Sequence, residues 1–189
     1  MRERLLRDES GFTLSEVLVT VTMMTMVMFA LYSIFDMSMR VFSFGNDKTE
    51  AVENARLGLE KMAREIKAAY PYDKANGNTM VLTAWTESQI TFGNDLNGNR
   101  VVDSDEVISY RRGADPTTLV REKGGSSQSV IEYVDGLSFQ YLDRFDAPAS
   151  SESEIAIVRI NLVIRVDRGV RAPATQTLST DVALRNSLY

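Results

Sequence analysis

Apolar residues run almost unbroken from Phe12 to Phe35, return only at every third or fourth place between Val52 and Ala69, and alternate with polar ones after Pro71. These three spacings predict three kinds of element. The first run holds 24 residues with Glu16 as its single charge, and about 20 suffice for a helix to cross the hydrocarbon core of a bilayer. In the second stretch Val52, Ala55, Leu59, Met62, Ile66 and Ala69 fall on one stripe of a helix. Glu53, Arg56, Glu60, Lys61, Arg64, Glu65 and Lys67 take much of its remaining surface. No proline precedes Pro71, so the membrane helix is expected to continue as an amphipathic helix over 36–70.

Beyond Pro71 the period of two predicts a β-rich head over 71–189. Val158, Ile160, Leu162, Ile164 and Val166 share one face of a half-buried antiparallel strand, and Leu137, Phe139 and Tyr141 repeat the pattern. Weaker strands are expected at Ser88 to Phe92, Glu106 to Arg111, Thr117 to Arg121 and Gln176 to Leu184. Turns fall at Asn76-Gly77, Asn97-Gly98, Gly124-Gly125 and Asp135-Gly136, and Asp146 to Glu154 reads as a mobile loop. The expected fold class is therefore α+β, a long N-terminal helix packed on an antiparallel sheet domain.

Charge and composition narrow the function. Arg2, Arg4 and Arg7 precede the apolar run, whereas the nearest basic residues after it are Arg40 and Lys48, so the N-terminus is expected inside and the head outside the cytoplasm. The run is longer than the roughly 7–15 apolar residues of a secretory signal peptide and lacks a good cleavage site after it. It is expected to persist as an anchor. The chain has no cysteine, so the head must be stable without disulfides, and its net charge of −5 makes nucleic acid an unlikely partner. Histidine is absent as well, which removes Ser-His-Asp and Cys-His catalysis and zinc sites built on those residues. The reading is of a non-enzyme.

Glu16 is the anomaly, because a carboxylate inside a membrane helix costs roughly 2.5–3.5 kcal/mol on insertion scales. One explanation is local, since Thr13 and Glu16 have the spacing of a helix capping box. The wider hexad Gly11-Phe12-Thr13-Leu14-Ser15-Glu16, set before a long apolar run, closely resembles the signal of type IV prepilins and type II secretion pseudopilins. The resemblance implies that residues 1–11 are a leader, that a prepilin peptidase cuts after Gly11, and that the new amine of Phe12 is methylated. It also implies that residues 12–35 form a transmembrane helix which becomes the core of a filament. There the Glu16 carboxylate can neutralise the Phe12 amine of an adjacent subunit, replacing a lone charge by a pair.

Three further segments are similar to the PilW and J-type minor pseudopilin group: Leu59 to Lys67, Asp135 to Tyr141, and Val182 to Asn186. Major type IV pilins often close a C-terminal loop with a disulfide, which this chain cannot do, and the K-type tip pseudopilin typically lacks the glutamate that Glu16 retains. By this resemblance the chain is a minor pilin or pseudopilin that initiates assembly and sits just within the tip. Its implied partners are the peptidase, the other major and minor pilins, and an assembly platform in the cytoplasmic (inner) membrane.

One loop suggests an ion. Asp95 to Glu106 follows much of a twelve-position calcium loop, with oxygens from Asp95, Asn97, Asn99, the Val101 carbonyl, Asp103 and Glu106, and Val102 as apolar anchor. Arg100 stands where such a loop needs glycine. The other reading is a solvated hairpin turn. A calcium-dependent binding module tethered to the membrane is thus the alternative to a filament subunit, and Ca2+ the one cofactor considered.

Overall fold

The computed structural model describes residues 11–70, 81–167 and 172–184. The leader residues Met1 to Ser10, the Asn76-Gly77 turn and Arg185-Asn186 of the C-terminal resemblance lie outside them. Helix α1, Leu14–Lys67, is continuous through 54 residues, and the chain divides into one unit up to Phe44 and a second from Gly45 onward.

In the first unit nearly all described side chains are exposed, among them Leu18, Met24, Phe29, Leu31 and Ile34. The hydroxyls of Thr22, Thr25, Ser33 and Ser38 donate to the carbonyls four residues back at 2.7–2.9 Å, and Thr20 does the same to Glu16. Such back-bonding satisfies each hydroxyl within the helix, as an apolar solvent demands. α1 is long and apolar enough to cross a membrane, and the Asp36–Arg40 ion pair at 2.9 Å marks the return of charge just after Phe35.

In the second unit α1 buries Ala51, Ala55, Gly58, Leu59, Met62 and Ile66, with Ala69 buried just past its end. The stripe differs from expectation at one edge, where Val52 is half-buried and Ala51 and Gly58 are the buried contacts. Gly58 explains the shift: a Cβ there would lie 2.3 Å from Cγ1 of Ile131, so the missing side chain is what admits a strand against the helix. α1 stops at Lys67 rather than residue 70, since the N–H of Tyr70 donates to the Gly93 carbonyl at 2.8 Å and Pro71 disfavours a helical residue before it.

Strands β1 (Leu82–Trp85), β2 (Gln89–Gly93), β3 (Val107–Arg112), β4 (Leu119–Lys123) and β5 (Ser126–Ile131) form a five-stranded antiparallel meander in chain order. Strands β6 (Val134–Leu142), β7 (Ile157–Val166) and β8 (Ala174–Ala183) form a second, three-stranded one. The fold is the expected α+β arrangement of an N-terminal helix with antiparallel sheets. Each strand foreseen after Pro71 is present within a few residues, and Val158, Ile160, Leu162, Ile164 and Val166 all point inward.

β1 and β5 were not anticipated. β5 reads Ser-Ser-Gln-Ser-Val-Ile, a poor strand former, yet the two-residue turn at Gly124 and Gly125 (φ 55° and 78°) folds it back on β4 in register. The two sheets meet where Phe139 N–H donates to the Glu87 carbonyl at 2.8 Å and the Tyr141 hydroxyl donates to the Thr86 carbonyl at 2.9 Å. Trp85 packs edge-to-face on Tyr141 with ring centroids 5.5 Å apart, a half-buried structural role.

Candidate functional site: the helix start and the 95–106 loop

Gly11, Phe12 and Thr13 precede the first helical residue and are exposed, Phe12 at 86%. The Gly11–Phe12 bond therefore lies in non-helical backbone, the form a peptidase can take into its cleft. Immediately after it the chain is locked. The Glu16 N–H donates to Thr13 Oγ1 at 3.3 Å, while one Glu16 carboxylate oxygen accepts from the Thr13 N–H at 3.1 Å and from its hydroxyl at 3.0 Å. This is the capping box, formed with both reciprocal bonds. In the chain with its leader attached, the carboxylate is thus held by its own helix start, which lowers the cost of carrying a charge among apolar side chains.

The second candidate is the loop between β2 and β3. Glu106 is only 3% exposed; its Oε1 accepts from the N–H groups of Leu96 (2.9 Å) and Asn97 (3.1 Å), and its Oε2 from Asp103 N–H (3.2 Å). Asp95 accepts from Gly98 and Arg100 N–H at 2.7 and 2.9 Å. Asn97 and Asn99 each accept from the N–H two residues on and donate to Oδ2 of Asp103 at 3.0 and 3.2 Å. Val102 is the expected apolar anchor: it is buried against Gly93, where a Cβ would come within 2.2 Å of it.

Arg100 adopts φ 69°, the left-handed conformation that glycine would take without strain. The loop's named side-chain oxygens are turned to amide N–H donors. Among the described residues no group of three or more His, Cys, Asp or Glu gathers where it could hold a metal ion. What the geometry does accomplish is chemical closure: the buried Glu106 carboxylate satisfies three backbone donors of a loop that lies outside the strand ladder.

Several polar contacts were not foreseen. Glu65, expected on the solvated face of α1, is half-buried and clasped by the Tyr110 hydroxyl (2.7 Å) and Arg121 Nε (2.9 Å) on a single oxygen. Burial, reinforced by Glu65, pushes the Tyr110 hydroxyl far above its usual pKa. The supposed loop 146–154 contains a short 3-10 helix, Glu152–Glu154, and Glu152 accepts from Val81 and Leu82 N–H at 2.7 and 3.0 Å, anchoring the edge of β1. Arg159 on β7 bonds Asp181 through two nitrogens at 2.8 Å and Asp146 at 3.0 Å. Only chain separation hid these pairs, since each joins residues remote in sequence.

The helix start is matched by the prokaryotic N-terminal methylation motif over residues 6–32. A comparison of the chain with curated proteins gives no match. The motif covers the charged approach, the Gly11-Phe12 junction, Glu16 and most of the apolar run. It defines a class: subunits processed by a prepilin peptidase and assembled with other pilins in a membrane machinery. With the single apolar helix and the α+β fold, it supports a membrane-anchored protein of the type IV pilin or pseudopilin kind, a structural subunit rather than an enzyme family.

Proposed function

We propose that this chain is a minor pilin or pseudopilin that initiates a type IV pilus or type II secretion pseudopilus and stays near its tip. The observation that carries this reading is the coincidence of the methylation motif with a capped, exposed cleavage junction on one unbroken helix. Before processing, Glu16 is occupied by Thr13. Cleavage after Gly11 creates a new amine on Phe12, and the Glu16 carboxylate of a neighbouring subunit is the group within the apolar layer that can neutralise it. The pair fixes register between helices and removes two charges from the apolar layer at once.

The three leader arginines support an orientation with the head outside the cytoplasm and the anchor in the inner membrane. A minor rather than major role is supported by the resemblance of Leu59 to Lys67 and Asp135 to Tyr141 to the PilW and J-type group and by the absence of cysteine. The test is the mature N-terminus, read by mass spectrometry of protein extracted from its own membranes. An N-methylated Phe12 is expected. An intact Met1 in cells with active prepilin peptidase would overturn the filament reading and leave a tethered binding module.

A further inference from the structure

Closing the 95–106 loop on its own hydrogen bonds demands a side chain that both accepts and donates, followed by a residue free to take positive φ. Asn97 accepts the Asn99 N–H on Oδ1 at 2.8 Å and donates from Nδ2 to Asp103 at 3.0 Å, which a carboxylate in its place could not do. Gly98 takes φ 75°, and nothing lies within 4 Å of where its Cβ would be. The loop is thus built on an exposed Asn-Gly pair. That pair is also chemically labile, because no side chain shields the nitrogen that follows the carboxamide. The Gly98 nitrogen can bond to Asn97 Cγ and close an imide ring. The Cγ–Nδ2 bond breaks, and the displaced amide proton leaves with that nitrogen as ammonia. Water then opens either carbonyl of the imide, leaving aspartate or isoaspartate at position 97.

We propose that Asn97 is a self-modification site of the head and that the closed loop is the latch that sets its rate. The attacking nitrogen must lose its proton, but the Gly98 N–H donates to Asp95 Oδ1 at 2.7 Å, and the charge of that carboxylate opposes an anion on the nitrogen. The carboxamide must swing onto the same nitrogen, but Asn99 N–H and Asp103 hold it at both ends, and Asp103 is itself fixed by the Asn99 side chain at 3.2 Å. Cyclisation therefore waits on local opening of the loop. Once made, the change cannot reverse. A carboxylate at position 97 turns an oxygen to Asp103 where Asn97 offered an N–H, and it adds a negative charge beside Asp95, Asp103 and Glu106, with Arg100 the one cation between residues 95 and 106. The loop then loses the bond that closes it, and a head without disulfides loosens with age at this point.

The test ages the full chain in mild detergent at slightly alkaline pH, folded and in guanidinium, and follows the tryptic peptide ending at Arg100 by mass spectrometry. Fragment ions locate the mass gain at Asn97, and enzymatic methylation of isoaspartate reports the imide route. Conversion in the folded chain is expected, about 10–100-fold more slowly than in the unfolded one. Asp95→Ala and Asp103→Ala, which each release one side of the latch, are expected to bring the folded rate to within about threefold of the unfolded rate. Gly58→Leu, which destabilises the head away from the loop, is expected to leave it unchanged. Fresh Asn97→Asp protein, which carries the product from the start, should melt below the unmodified chain. Equal rates folded and unfolded, an Asn97 that converts in neither state, or an acceleration by Asp95→Ala and Asp103→Ala no greater than that by Gly58→Leu overturns the latch. Unchanged melting of Asn97→Asp overturns the loosening.

Discussion

From Leu14 to Phe44 helix α1 leaves nearly every side chain open, whereas from Gly45 to Lys67 it buries a stripe of Ala, Gly, Leu, Met and Ile against the head's own strands. One helix therefore satisfies two solvents. In the first stretch the hydroxyls of Thr22, Thr25, Ser33 and Ser38 bond back to their own helix and the Glu16 carboxylate is held by Thr13, so these polar groups of the apolar run are met without tertiary contacts. In the second, polar groups reach across the fold, as Glu65 does to Tyr110 and Arg121, and stability depends on what lies opposite. Mutations in the first stretch should change assembly, and those in the second should change folding.

The sharpest way to break this contrast is Glu16→Ala. Cleavage and N-methylation should proceed, while incorporation into filaments, measured by shearing and immunoblot, falls at least about tenfold and the head melts as before. Normal filaments from this variant would sink the charge-pair mechanism. On the folding side the largest effect is expected from Glu106→Ala, which strands three N–H donors around a buried position and should cost about 2–3 kcal/mol by chemical denaturation, with processing intact. Adding calcium to the unmutated protein is expected to leave its melting temperature unchanged. An upward shift that Glu106→Ala abolishes would establish the calcium reading of Asp95 to Glu106.

The two glycines of α1 give a smaller but cleaner comparison. Gly58→Leu should destabilise by about 1–3 kcal/mol because it drives side-chain atoms into Ile131. Gly45→Ala has open space around its Cβ and should stabilise the helix by up to about 1 kcal/mol. Equal effects would mean that the helix is no more constrained at one site than at the other.

The smallest effect at neutral pH belongs to Tyr110. Its hydroxyl is held protonated in the fold, so it contributes nothing to pH dependence below the unfolded value of about 10. Above it the unfolded chain loses the proton and the folded one keeps it, and stability falls as pH rises. Tyr110→Phe should flatten that alkaline loss. An unaltered slope would place Tyr110 in contact with solvent.

The prepilin-like start, the membrane-length run, the amphipathic continuation and the long alternating strands were all legible in the sequence, because each is written in contiguous or periodic residues that respond to local propensity and to solvent. The capping box belongs to that group, since Thr13 and Glu16 lie three residues apart. Tertiary structure alone decided the rest: that Gly58 admits Ile131, that Glu65 turns inward, that Glu152 caps the edge of β1, and that a serine-rich segment becomes β5. It also decided that the side-chain oxygens of Asp95, Asn97, Asn99 and Glu106 turn to backbone N–H groups and that Asp103 takes the Asn97 and Asn99 side-chain amides. Each of these depends on which buried donor or void the folded chain brings opposite a residue, and a buried polar group must be satisfied by whatever is there.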